Sequence, residues 1–175
     1  DGDVTRADLG KLKSLNLSQV TMDQLDPCIF PHAKNLKELF LGQGELEDLS
    51  ALADMTKLES LRASINKVKD LEPLEKLTRL DRLDLGRTQV EDLTPLAGLT
   101  NLTEIALDDT LVSDLKPLAK LTKLERLSIQ RTRVKDFGPI KDLKNLKFLY
   151  IAGTPPTDVS PLEPLKARGT KVIGQ

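Results

Sequence analysis

Cys28 and His32 are the only cysteine and the only histidine of the chain, four residues apart, and have the types for nucleophilic catalysis. Such a pair works when base and nucleophile come within about 3 Å and a third group orients the base. Here Ile29, Phe30 and Pro31 separate them and Pro27 precedes them, a composition that favours a packed or half-exposed loop. Two ligands also fall short of the roughly four that a structural zinc site uses. The adjacent carboxylates Asp108 and Asp109 could do acid-base work only in an enclosed site that pushed their pKa values apart, and their spacing places them on an open surface. No glycine-rich phosphate loop or nucleotide fingerprint is present. The expectation is a chain that is not an enzyme and takes no cofactor and no metal.

What remains for function is a set of arginines, acids and aromatics, and the bulk composition limits what they can bind. Lys and Arg number 26 against 27 Asp and Glu, a net charge of -1, which gives no overall pull toward nucleic acid or an anionic membrane. One cysteine allows no internal disulfide. No apolar run approaches the length of a membrane span, and Asp1-Gly2-Asp3-Val4-Thr5 is neither a basic leader nor followed by an apolar core. A start at Asp1 reads as a mature or trimmed product, and the last segment reads as a finished end.

The elements that position these residues come from one period. Leu36, Leu58, Leu80, Leu102, Leu124 and Leu146 stand 22 residues apart, and Leu39, Leu61, Leu83, Ile105, Leu127 and Leu149 follow each at the third position. Leu41, Ala63, Leu85, Leu107, Ile129 and Ile151 come two residues later. Apolar positions separated by one residue mean a short strand whose leucines face one side and whose other residues face the opposite side. So short a strand cannot stand alone, so equivalent strands must stack about 4.8 Å apart in a parallel sheet. Seven such strands make a solenoid roughly 30 Å long.

A second half-repeat keeps the phase, as in Asp70-Leu71-Glu72-Pro73-Leu74 and Asp92-Leu93-Thr94-Pro95-Leu96. Pro followed by Leu fits a short helical turn whose first position tolerates a missing N–H. Too little chain remains for a full α-helix. The recurring Asp is read as a cap on backbone N–H groups of the turn, a fold residue and not a metal ligand.

This pattern resembles the bacterial leucine-rich repeats of the internalin type, over about residues 36–165. The resemblance implies an α/β leucine-rich repeat solenoid, with a curved parallel β-sheet on the concave face and short 3₁₀ or helical turns on the convex face. It also implies a protein secreted by a bacterium, displayed on its surface or delivered as an effector, which binds a partner protein on the concave side. One departure stands out. Where the family places Asn after the strand, this chain has Gly44, Asn66, Thr88, Thr110, Thr132 and Thr154. A hydroxyl reaches less far than an amide, so a somewhat different loop geometry is expected.

The chain reads as one domain over 1–175. Residues 1–35 form an N-terminal cap and an irregular first repeat, because the step from Leu12 to Leu36 is 24 residues and Asp26–His32 interrupts it. Residues 36–165 are regular, and 166–175 close the far end. Repeat solenoids need such atypical ends to cover their terminal core layers. Helix is expected around Arg6–Leu12 and Pro161–Arg168, and Lys171-Val172-Ile173 can add a last strand fragment.

Strand phase then assigns the concave positions. Phe40, Phe148 and Tyr150, three of the five aromatic residues, fall on this face and outside the core columns. Arg62, Arg82 and Arg126 lie between them with Asp84, Glu104 and Asp108, and Arg87, Asp109 and Arg131 stand in the adjoining loop column. Aromatic residues and arginines become hot spots when a partner buries them; the alternative for the aromatics is cover by a neighbouring side chain. For the charges the plain alternative is a solvated face of mutual ion pairs. The expected site is therefore Phe40, Arg62, Arg82, Asp84 and Arg87 with Asp108, Arg126, Arg131, Phe148 and Tyr150. The expected partner is a protein, with no nucleic acid, because the interspersed acids repel phosphate, and with no membrane span; the isolated domain is expected to be monomeric. A second reading is a structural or self-assembly module that packs against other domains or subunits.

Overall fold

The computed structural model describes residues 5–154 and 156–174. Eight three-residue strands follow in order: β1 Ser14–Asn16, β2 Glu38–Phe40, β3 Ser60–Arg62, β4 Arg82–Asp84, β5 Glu104–Ala106, β6 Arg126–Ser128, β7 Phe148–Tyr150 and β8 Lys171–Ile173. They form one parallel sheet in sequence order. From β2 to β7 every step is 22 residues, with Leu39, Leu61, Leu83, Ile105, Leu127 and Leu149 in register. The first step is 24 residues, Leu15 against Leu39. Each coil returns through a short 3₁₀ turn on the convex side, such as Thr94–Leu96 with Pro95 at its start.

The core is a stack of aliphatic columns. Leu36, Leu58, Leu80, Leu102 and Leu124 are fully buried, as are Leu52, Leu74, Leu96, Leu118 and Ile140 beneath the convex turns. Phe137 is the one aromatic among the fully buried side chains. Each coil covers the layer before it, so the sheet and the turn stack share one continuous interior.

The recurring aspartates do what their spacing predicts. Asp48, Asp70, Asp92, Asp114, Asp136 and Asp158 each accept the backbone N–H two residues on, at 2.7–2.9 Å. Asp26 makes the same bond to Cys28 at 2.7 Å inside the irregular first coil. Hydroxyls of Ser50, Thr94 and Ser160 together with these N–H groups hold the carboxyls of Asp48, Asp92 and Asp158 below the ordinary range.

The threonine column also behaves as its chemistry requires. Thr88, Thr110 and Thr132 donate to the carbonyls of Leu85, Leu107 and Ile129 within their own coil, at 2.7–2.8 Å. Asn66 reaches further: its Nδ2 donates back to Gly42 in the preceding coil at 2.9 Å, and its Oδ1 accepts from the Leu46 N–H at 3.3 Å. Thr154 ties two coils by donating to the Ile129 carbonyl and accepting from the Thr132 N–H. The shorter side chain thus exchanges most inter-coil ties for local ones, and the backbone ladder carries the difference.

At the ends, a helix over Arg6–Leu9 is shorter than the expected one and carries a capping box between Thr5 and Asp8. Residues 1–4 of the expected cap lie outside the described residues. The last return is a 3₁₀ turn, Ser160–Leu162, running into a helix, Glu163–Ala167.

Candidate functional site

Because successive side chains of a strand alternate, the first and third residue of each strand face the concave side and the middle one faces the core. The sequence-expected site residues Phe40, Arg62, Arg82, Asp84, Arg126, Phe148 and Tyr150 all occupy outward strand positions. Asp108 lies just beyond β5. Arg87 and Arg131 lie in the loop column, where a feature appears that sequence did not disclose. Ile65, Arg87, Asp109 and Arg131 are left-handed, with φ of 60°, 56°, 56° and 52°, and Gly153 continues the column at 70°. Each coil turns out of the sheet at this point, and the backbone N–H of the left-handed residue bonds to the next coil, as Arg87 does to Asp108 at 2.7 Å.

Left-handed backbone costs an L-residue roughly 1–2 kcal/mol, with a branched Cβ at the unfavourable end. Ile65 is 39% exposed, so little burial offsets the strain. Ile65→Asn, which accepts this conformation, is expected to raise stability by about 1 kcal/mol, read as a shift in the denaturation midpoint. An unchanged or lower midpoint would mean that the isoleucine stem is worth more to the coil than the strain it carries.

The charges on this side are largely spoken for. Arg131 clasps Asp109 with two bonds, Nε at 2.6 Å and Nη2 at 2.7 Å, and Arg87 approaches the same carboxylate from the preceding coil at 3.6 Å. Arg131 holds the Asp109 carboxyl below its usual range, and the carboxylate in turn raises the guanidinium. Asp84 accepts from the Gly86 N–H at 3.0 Å and the Ser64 hydroxyl at 3.2 Å, and pairs with Arg62 at 3.2 Å. Asp108 is taken by the Ser128 hydroxyl at 2.6 Å and the Gln130 N–H at 2.8 Å. Exposed pairs of this kind contribute only about 0–1 kcal/mol each; their use is to fix side-chain directions. Arg82 is the exception: its nearest carboxylate, the neighbouring Asp81, is 3.9 Å away and is already bonded to Thr103.

Phe148 and Tyr150 are half-buried, because the face covers them itself. The Arg126 guanidinium sits 4.8 Å from the Phe148 ring centre and 5.8 Å from that of Tyr150, and donates to the Tyr150 hydroxyl at 2.9 Å. The two rings lie at 18° to each other, 6.5 Å apart. Lys171, on β8 and outside the expected site, brings its ammonium 5.7 Å over Phe148. Cover by a neighbour, the alternative weighed for exposed rings, is what Arg126 supplies.

Small residues make the other unforeseen feature. Ser60 and Ser128 are only 7% and 9% exposed, and Ala106 lies between them on β5. Over them opens a shallow trough of about 290 Å³ walled by Phe40 at one end and Arg126 at the other, with Arg62, Arg82, Asp84 and Glu104 on its rim. A second hollow of about 320 Å³ runs along the left-handed column and joins Arg62, Asp84, Arg87, Asp108 and Arg131. All ten expected residues therefore meet in two adjoining hollows or in the Arg126 cluster that borders them, with Phe40 standing at the trough's far wall.

Cys28 is exposed, and its N–H is bonded to Asp26; His32 ends a 3₁₀ turn. Among the described residues no three His, Cys, Asp or Glu side chains gather closely enough to hold a metal ion, and no helix is long and apolar enough to cross a membrane.

With this geometry in hand, the comparisons with known proteins are direct. The leucine-rich repeat profile, described as two copies of the repeat, matches residues 56–98 and again 122–164. A solved internalin (inlF) from Listeria monocytogenes superposes with a TM-score of 0.90 at 30% identity, over 97% of this chain and 49% of that one. Internalin C2 from the same organism gives 0.76 at 28% identity, over 91% of this chain and 80% of that one. A leucine-rich repeat protein of Leptospira interrogans shares the fold at 20% identity and a TM-score of 0.70. In sequence, the mouse leucine-rich repeat and WD repeat-containing protein 1 is 39% identical over 70 residues, a stretch that is 11% of that protein. The chain therefore carries leucine-rich repeats and folds as a leucine-rich repeat solenoid similar to those of the internalins.

Proposed function

We propose that the protein is a recognition module, not a catalyst, and that it binds a partner protein on the concave face of its sheet. Leucine-rich repeat proteins act generally in protein–protein interaction, which supports the class of function. The observation that carries the choice of face is the trough over Ser60, Ala106 and Ser128. It offers a floor of small side chains within a charged rim, where Arg62 is paired with Asp84 at 3.2 Å and Glu104 with Arg126 at 3.8 Å. Pre-organised arginines and aromatics lose little freedom on binding, and a partner residue seated in the trough would be ringed by contacts that exclude water. The resemblance to internalins also supports a secreted or surface-displayed bacterial protein or a delivered effector as the setting.

The test is capture of partners on the immobilised chain, followed by affinity measurement with Phe40→Ala and with Arg126→Ala, each checked for an unchanged melting profile. A residue at the centre of such a face is expected to weaken binding at least about 30-fold, the equivalent of roughly 2 kcal/mol. A partner held equally by wild type and both variants would place the site elsewhere.

A further inference from the structure

Charge is not spread evenly along the solenoid. Residues 116–175 carry thirteen Lys and Arg against five Asp and Glu, a net of +8, while residues 1–115 carry thirteen against twenty-two, a net of -9; together they restore the overall -1. A solenoid turns sequence order into position along its axis, so the segregation is spatial. The coils of β1 to β5 form an acidic body and those of β6 to β8 a basic end.

Within that end, Lys120 and Lys166 lie in the convex turn and helix that precede β6 and β8, Lys123, Lys141, Lys144 and Arg168 lie on the segments that climb from the convex side to β6, β7 and β8, and all six are exposed. Coils repeat at about 4.8 Å, so these cations share one flank roughly 10–15 Å long. Among the described residues the acids there offset it only in part, Lys166 being the one cation of the six that a carboxylate takes. Glu125 is taken by Lys147 at 2.7 Å and Glu163 by Lys166 at 3.3 Å, which leaves Asp142. Lys123 spends one donor on the Asn101 side chain at 2.7 Å, and Arg168 donates to the Lys141 carbonyl, so both are oriented and both keep their charge.

We propose that this flank docks a short acidic segment of a partner protein. Complementary charge raises the rate of encounter and sets which way round a partner lies. The length of the patch selects the kind of anion. Duplex nucleic acid carries a charge about every 1.7 Å along its axis, and a membrane presents an extended anionic plane; both would continue past the flank and meet the acidic body. A run of Asp and Glu in a protein can stop where the patch stops. Single strands would need open rings to stack on, and the nearest rings, Phe148 and Tyr150, are covered by Arg126. The flank stands beside the concave face without sharing these six residues with it, so each surface can fail by itself.

The experiment titrates the whole chain against a labelled oligoglutamate of about twelve residues at about 0.15 M salt, followed by fluorescence anisotropy. The triple variant Lys120→Glu, Lys141→Glu, Lys144→Glu is expected to weaken binding at least tenfold. A matched reversal in the acidic body, Lys34→Glu, Lys57→Glu, Lys76→Glu, is expected to change it less than twofold. Equal loss from both triples would mean general charge attraction and overturn the proposal. So would tighter binding of an oligothymidylate of equal charge, or of phosphatidylserine vesicles. Phe40→Ala leaves the flank intact, so loss of a captured partner in that variant with oligoglutamate binding unchanged bears on the concave face alone.

Discussion

Replacing Phe137 with alanine is expected to destabilise the C-terminal coils by about 3–5 kcal/mol, the range for deleting a buried phenylalanine. The residue closes a column that reads Leu49, Leu71, Leu93 and Leu115 in the preceding coils, all buried, and Val159 in the next, which is exposed. The last regular layer thus has a larger side chain before it and little behind it. Alanine would leave a void that Val159 is not placed to fill, and the cost follows from the cavity as well as from the lost transfer energy. Because each coil contacts only its neighbours, the damage should stay local. Amide exchange is expected to accelerate across β7 and β8 while β2 to β5 keep their protection, and denaturation should lose its single transition. Phe137→Leu restores the residue type of the column and should cost less than about 1.5 kcal/mol. A uniform loss of protection over all eight strands would instead show that the solenoid opens as one unit.

The columns on which this expectation rests were legible in the sequence for a physical reason. A side chain that points into a one-dimensional core meets nearly the same surroundings in every coil, so its type recurs with the coil length, and Leu, Val and Ile mark the interior without reference to any partner. The turn aspartates were legible likewise, since an Asp that accepts an N–H two residues on is a local device. The left-handed column was not, because Ile65, Arg87, Asp109 and Arg131 are not the Gly or Asn that usually betray positive φ. The state of the concave face was hidden for a different reason. Whether Phe148 stands free or lies under Arg126 depends on a rotamer one coil away, 22 residues distant in sequence. The trough was hidden because Ser60, Ala106 and Ser128 are unremarkable singly and form a floor only when the four strands from β3 to β6 are set side by side. The charge segregation, by contrast, was readable from residue counts and was masked by a net charge near zero.

The irregular first coil leads to the second large effect. Gly42→Ala is expected to undock the N-terminal coil, at a cost at or above the upper end of the ~1–3 kcal/mol typical of overpacking. A Cβ at Gly42 would lie 1.7 Å from the Val20 carbonyl oxygen and 2.7 Å from that of Leu17, and one at Gly44 would lie 2.1 Å from the Met22 carbonyl oxygen. These are backbone atoms and cannot rotate away. The 24-residue first coil brings its chain across the second just where later coils carry side chains, at Ser64, Asp108 and Gln130, so the second coil must lack them. The same contact is held by hydrogen bonds from the Met22 N–H to Gln43 and from the Glu45 N–H to Met22, both 3.1 Å, which a displaced segment would lose. Gly86 occupies the equivalent place in a regular coil, where an added Cβ meets nothing closer than 3.4 Å, so Gly86→Ala is the control and should be nearly neutral. Limited proteolysis is expected to cut Gly42→Ala within residues 17–35 and to spare Gly86→Ala. Equal melting and equal resistance in the two variants would mean that the first coil yields without leaving. Undocking would also bare Leu39, which the first coil keeps fully buried; the glycine therefore protects the core through the space it leaves open.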